Sequence, residues 1–202
     1  MTKPRIAVLI SGRGSNLQAI IDAIAEGRLN AAIAIVVSSK ADAPGLLRAR
    51  EARIEALHLS PRAYADRDSY DRALVDVLKQ REVSLLCLAG FMRLVGAPLL
   101  EAYRHRILNI HPSLLPSFPG LDAQRQALEH GVRITGATVH LVTSGLDDGP
   151  IVLQSPVPVL ETDTVETLSA RILVEEHRLY PEAIGLVLAG GWTVEGRRFV
   201  RA

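Results

Sequence analysis

The sequence predicts an α/β protein: an open, mostly parallel sheet with helices on both faces, passing into a β-richer, partly antiparallel C-terminal half. Three observations carry this. Ile6-Ala7-Val8-Leu9-Ile10 is a continuous apolar run closed by Ser11-Gly12, as expected of a strand buried on both faces. Leu17, Ile20, Ile21 and Ile24 follow at helical spacing, and strand-like and helix-like segments then alternate as far as Ile110. Beyond that point the pattern changes to two long strand-like runs, 134–142 and 151–159, around a polar turn.

The first helix begins near Ser15, where Ser15 and Gln18 have the spacing of a capping box. Residues 31–37 read as a second buried strand and 44–54 as a helix, with Pro44 tolerated in its first turn. A short strand at 56–59, a helix at 69–80 and a strand at 83–88 follow, then a brief helix at 98–103 and a strand at 107–110. In the second half, 121–130 is helical up to Gly131. The helix from Thr164 to about Tyr180 has Asp163 and Glu166 as a second capping pair, and Pro181 is expected to kink or restart it. Runs at 192–194 and 198–200 suggest a closing hairpin around Glu195-Gly196. No repeat, low-complexity tract or linker interrupts the chain, so it reads as a single domain, 1–202, with halves 1–110 and 111–202.

The 202 residues are enough for a full core, and 48% hydrophobic with 22% charged is the profile of a globular chain. A net charge of +1 argues against nucleic acid or an anionic membrane as partner. The apolar stretch at 6–10 is too short for a signal peptide, and no run approaches membrane-spanning length. Cys87, the one cysteine, sits in an apolar run and reads as a buried, inert thiol, consistent with a reducing cytoplasm.

Four constellations could carry chemistry. Ser11-Gly12-Arg13-Gly14-Ser15-Asn16 joins a strand to a helix N-terminus, where free N–H groups and glycines suit a phosphate. It lacks the lysine of a P-loop and the third glycine of a dinucleotide fingerprint, and a tight turn needing glycine explains it equally well. Asn109 and His111 alternate onto one face at the end of a strand that Pro112 closes. An amide donor beside an imidazole suits a developing oxyanion and proton movement around it. Asp147-Asp148-Gly149-Pro150 reads as a turn, or as the carboxylate that orients His111 and raises its pKa. Glu176 falls inside the apolar stripe of Val165, Leu168, Ile172 and Leu179, either as a rim salt bridge or as a ligand contact. The remaining histidines, His58, His105, His130, His140 and His177, lack metal-site spacing and read as structural.

Taken together these segments resemble the phosphoribosylglycinamide formyltransferase family, over essentially the whole chain. The resemblance lies in Ile10-Ser11-Gly12-Arg13-Gly14-Ser15-Asn16-Leu17-Gln18-Ala19-Ile20, in Leu88-Ala89-Gly90-Phe91-Met92-Arg93-Leu94 and in Leu108-Asn109-Ile110-His111-Pro112-Ser113-Leu114-Leu115-Pro116. Leu146-Asp147-Asp148-Gly149-Pro150 and Glu175-Glu176-His177-Arg178-Leu179-Tyr180-Pro181 complete it. It implies a Rossmann-like formyltransferase fold and transfer of a formyl group from the co-substrate 10-formyltetrahydrofolate to the amine of glycinamide ribonucleotide, in the cytoplasm, without a metal. It implies Asn109, His111 and Asp147 as the catalytic trio, and Gly14, Ser15, Asn16, Leu17, Gln18 and Glu176 as substrate contacts. Folate contacts would be Arg67, Met92, Arg93, Leu94 and Val95, with Asn109 and the loop Thr143, Ser144, Gly145, Leu146 and Asp147. Asp148 departs from the family pattern, where a small residue is more usual. The trio alone also marks methionyl-tRNA formyltransferase and formyltetrahydrofolate hydrolase, for whose added domains this length leaves no room. Hydrolysis of the formyl folate and a non-catalytic nucleotide-binding module stand as the alternative readings. No motif argues for or against a homodimer.

Overall fold

The apolar run at 6–10 becomes β1 (Arg5–Ile10) in the computed structural model, which describes residues 2–201. The chain divides into two compact units, with the boundary between Leu108 and Asn109.

In the first unit β1 is followed by α1 (Ser15–Ala25), β2 (Ala32–Ser38), α2 (Pro44–Glu51), β3 (Ala56–His58), α3 (Arg67–Lys79), β4 (Leu85–Leu88) and α4 (Ala97–Ala102). The strands run parallel in the order β3-β2-β1-β4. Ile6 to Ile10 are all fully buried, as a central parallel strand requires. Each such aliphatic side chain removed from water contributes on the order of 2 kcal/mol. Cys87 lies in β4, fully buried, and burial pushes its thiol far above the ordinary range. Because the strands are parallel, the loops that follow β1, β2 and β4 emerge at the same end. There Ser11 Oγ lies 2.8 Å from Ser39 Oγ and accepts from Met92 N–H at 3.0 Å, tying three loops together.

The boundary falls inside β5 (Ile107–His111). This is two residues earlier than the 110/111 division the sequence suggests, and the Asn109 side chain bonds within the second unit. That unit continues with α5 (Ala123–Glu129), β6 (Ile134–Leu141), β7 (Ile151–Pro158), α6 (Val165–Ala189), β8 (Trp192–Glu195) and β9 (Arg198–Arg201). β6 and β7 pair antiparallel, β9 joins β7 in parallel through Ile151 and Arg198, and β8 closes an antiparallel hairpin with β9. α6 packs on β6, β7 and α5.

Three local expectations are corrected. α1 is capped by Gly14 in the left-handed region and has no side-chain cap bond; Gln18 instead donates to Asp22 at 2.9 Å and accepts from Arg48 at 3.2 Å. The capping box of α6 is Thr164 with Thr167, since both oxygens of Asp163 are taken by Arg171 at 2.8 Å. α6 also runs through Pro181 to Ala189, because buried Ala183, Ile184 and Val187 continue its apolar stripe.

Candidate active site

Four polar side chains of the second unit converge on one point. Asn109 and His111 come from β5, at alternate positions and so on one face. Asp147 comes from the loop between β6 and β7, and His140 from the end of β6. His111 Nδ1 lies 3.4 Å from Asp147 Oδ2. Asn109 Nδ2 lies 3.1 Å from His140 Nε2 and 3.5 Å from Asp147 Oδ1. Side-chain exposure is 6% for His111, 3% for His140 and 11% for Asp147, so these groups interact in a largely water-excluded setting.

The carbonyls fix the protons. His140 Nδ1 sits 2.9 Å from Leu141 O, which can only accept, so Nδ1 carries hydrogen. In the neutral ring Nε2 is then an acceptor, and it takes a hydrogen of the Asn109 amide. That contact sets the amide's orientation. His111 Nε2 sits 2.8 Å from Phe118 O and likewise carries hydrogen. Its Nδ1 therefore faces a carboxylate with a proton when the ring is charged and with a lone pair when it is not. Burial pushes the His111 pKa down, while the Phe118 carbonyl and Asp147 push it up; the net direction is below the ordinary value. Asp147 does raise the ring, as the sequence suggests, but burial outweighs it. Burial alone would raise Asp147 as well, yet the neighbouring His140 ring, the Gly120 N–H and the charge of His111 bring its carboxyl below the usual range.

A polar lattice holds the loop that supplies these backbone groups. Fully buried Thr138 donates to Ser113 O at 2.7 Å and accepts from Leu115 N at 3.1 Å and Gln154 Nε2 at 2.9 Å. Ser113 donates to Ser117 O at 2.5 Å. Phe118, at φ +55, then presents its carbonyl to His111, and Gly120 N–H donates to Asp147 Oδ2 at 2.8 Å.

The other candidate residues are distributed as follows. Thr143 is half-buried, whereas Ser144, Gly145 and Leu146 are exposed on the same loop as Asp147. Glu176 is buried on α6, among Ile172, Leu179 and Tyr180. Gly14 to Gln18 belong to the first unit, where Gly14 adopts φ +71 and a Cβ on it would lie 2.7 Å from Gly45 Cα. The glycine is thus required both by conformation and by a close approach of α2. Arg48 on α2 braces the same loop by donating to Arg13 O at 3.0 Å. The first unit also brings Arg67 together with the 92–96 segment. Buried Asp71 accepts from Gly96 N–H at 2.6 Å, Arg67 Cγ would lie 3.4 Å from a Cβ on Gly96, and the Arg93 guanidinium lies 5.1 Å from the centre of the Tyr70 ring. Met92 and Leu94 are 65% and 62% exposed. Among the described residues no group of three or more His, Cys, Asp or Glu is arranged to hold a metal ion, and no helix is long and apolar enough to cross a membrane.

Sequence reasoning missed His140 and the two backbone groups. His140 shares the parity of Thr138 along β6, which would have linked it to the inward polar face had that face been known.

The formyl transferase family model matches residues 4–184. The chain is 45% identical over 192 residues to phosphoribosylglycinamide formyltransferase of Escherichia coli, covering 95% of this chain and 88% of that protein. It is 48% identical to the human trifunctional purine biosynthetic protein adenosine-3 over 93% of this chain, but spans only 19% of that protein's length. Among solved structures, glycinamide ribonucleotide transformylase 1 of Symbiobacterium toebii superposes with a TM-score of 0.96 at 60% identity, covering 98% of this chain and 93% of that one. A formyltetrahydrofolate deformylase of Pseudomonas syringae superposes with a TM-score of 0.89 at 27% identity, covering 99% of this chain and 66% of that one.

Proposed function

Because the chain belongs to the phosphoribosylglycinamide formyltransferase family, we propose that it transfers the formyl group of 10-formyltetrahydrofolate to the amine of glycinamide ribonucleotide, a step of purine synthesis. The observation that carries the chemistry is the buried meeting of Asn109, His111 and Asp147, with His140 behind the amide. The amine nitrogen attacks the formyl carbon and a carbon–nitrogen bond forms. The carbonyl oxygen becomes an oxyanion. The bond from carbon to the folate nitrogen then breaks, and that nitrogen receives a proton while the amine loses one, so nothing is oxidised or reduced.

His111 supplies the charge that meets the oxyanion. Its Nε2–H is held by the Phe118 carbonyl, which fixes the ring, and the positive charge of the ring stabilises the oxyanion electrostatically. Asn109 keeps one amide hydrogen on His140 Nε2 and turns the other to the oxyanion, its Nδ2 lying 3.5 Å from Asp147 Oδ1 in the free protein. Asp147 supports the charged ring and relays the amine's proton. Gly14 to Gln18 and Glu176 hold the ribonucleotide, and fixing its phosphate is catalysis by proximity. Arg67, the Met92–Val95 segment and the 143–147 loop hold the folate. We propose the cytoplasm as the site of the reaction and a homodimer as the assembly, and sedimentation at assay concentration distinguishes that homodimer from a monomer.

The test is a turnover assay with both substrates, following the absorbance of released tetrahydrofolate and the formylated product. Transfer that requires glycinamide ribonucleotide is the expected result. Formate released at the same rate without the amine would make the chain a hydrolase, and no turnover at all would leave a nucleotide-binding module.

A further inference from the structure

Asp148 stands beside Asp147 and makes a separate set of contacts. Its carboxylate accepts from the Thr143 hydroxyl. It also folds across Gly145 so closely that a Cβ there would collide with it. Its backbone carbonyl accepts from Arg197 Nη2 at 2.8 Å. Arg197 occupies the two-residue connection of the terminal hairpin, whose strand β9 is registered on β7 by the Ile151–Arg198 pair. The base of the same loop is closed by the bond from Leu141 N–H to Pro150 O at 2.9 Å, and Gly149 lies against the Leu141 carbonyl with no room for a Cβ.

The loop is therefore pinned at its base by backbone, across its width by Thr143 and Asp148, and from outside by Arg197. Between these pins lies Asp147, whose φ of +49 is a left-handed conformation that costs an L-residue about 1 kcal/mol. Such a conformation persists only where its neighbours over-determine it. Asp148 and Arg197 are both exposed, so their contacts add little to global stability and act instead on the shape of this loop.

We propose that Asp148 and Arg197 are positioning residues: they hold the 143–148 loop in the one shape that delivers the Asp147 carboxylate to the His111 ring, which makes the terminal hairpin a working part of the site. The inference rests on the formyl-transfer reading only for its effect on turnover; the geometry it concerns is present in the free protein.

The experiment uses the full chain with Asp148→Ala, Asp148→Asn and Arg197→Ala. The His111 titration is followed by NMR of ring-labelled histidine and assigned with His111→Gln. The groups facing that ring are Asp147, His140 and the Phe118 carbonyl. A loosened Asp147 supports the charged ring less, so Asp148→Ala and Arg197→Ala should lower its pKa by about half a unit, while Asp148→Asn, which keeps an acceptor for Thr143, stays at the parent value. In the turnover assay, kcat/KM for the folate should fall about three- to tenfold for the two alanine variants and be restored in Asp148→Asn. An unchanged His111 titration in both alanine variants overturns the inference, whether or not the parent protein transfers formyl groups. An Asp148→Asn variant as impaired as Asp148→Ala also overturns it. Should Asp148→Ala fail to fold, Arg197→Ala, at an exposed hairpin turn, decides. A parent protein without turnover would refute the function and still leave the titration to judge the loop.

Discussion

β1 and β6 are both buried strands, and their interiors are built on opposite principles. β1 buries Ile6, Ala7, Val8, Leu9 and Ile10, and its polar side chain, Arg5, stays exposed at the strand's start. β6 is buried just as thoroughly, but Thr135, Thr138 and His140 are among its buried residues. In the first unit the strand is an apolar post, and the polar groups lie in the loops that follow it. In the second unit the strand itself carries them: Thr138 fixes the loop whose carbonyl meets His111, and His140 fixes the Asn109 amide. On the proposed reading, bond making falls to the buried polar face of the second unit, while the binding groups are exposed or backbone-rich loops such as Gly14 to Gln18, together with the buried Glu176.

The largest test of this division is His111→Ala. On the proposed reading the imidazole is at once the charge that meets the oxyanion and the partner of Asp147, so turnover should fall by roughly two to four orders of magnitude in the formyl-transfer assay. Near-parent turnover would remove the second unit's claim to the chemistry. Asp147→Asn should cost less, roughly ten- to a hundredfold. It also carries a signature in pH. Asp147 raises the His111 pKa against the lowering effect of burial, so its loss lowers that pKa further. The limb of the pH–rate profile that requires charged His111 then moves to lower pH, and an unmoved limb would mean that the carboxylate does not act on the ring.

A reciprocal pair of near-isosteric exchanges tests the two interiors directly. Thr138→Val in β6 leaves Leu115 N–H and Gln154 Nε2 without their shared acceptor and should destabilise the protein by about 1–3 kcal/mol in denaturant unfolding. Val8→Thr in β1 places a hydroxyl where the surroundings are apolar, and should cost a similar amount for the opposite reason. If either swap is neutral, the contrast between the strands is one of composition and not of energetics.

This contrast also explains what could be read from the chain. Apolar runs report burial directly, so β1, β2 and the alternation of the first unit are visible as hydropathy. The polar interior of β6 is not: Thr138 and His140 look like surface residues of a half-exposed strand until a partner loop is known to cover them. Asn109, His111 and Asp147 were recognisable as types and by their positions at a strand end and a turn, yet their meeting depends on a loop folding back between β6 and β7, and no spacing encodes that. Helix ends were legible where the cap is local, as at Thr164, but the choice between neighbouring cappers was decided by a partner eight residues away, Arg171. Gly14 was ambiguous because a phosphate cradle and a tight turn ask for the same residue, and the approach of Gly45 shows that the turn alone already demands it.

That last point sets the smallest and most discriminating test, Gly14→Ala. The change forces an L-residue to φ +71 and drives a methyl to 2.7 Å from Gly45 Cα, which is backbone and cannot rotate aside. Either the turn opens or α2 shifts, and the bond from Gly45 N–H to Gly12 O, now 3.1 Å, lengthens with it. The expected loss of stability is about 1–2 kcal/mol, from the left-handed conformation alone. The kinetic consequence separates the two roles the glycine could have. If the loop cradles the ribonucleotide's phosphate, KM for glycinamide ribonucleotide rises about three- to tenfold while kcat at saturation changes little, because the groups that stabilise the oxyanion belong to the other unit. If the glycine serves only the turn, the protein melts earlier and KM stays where it was.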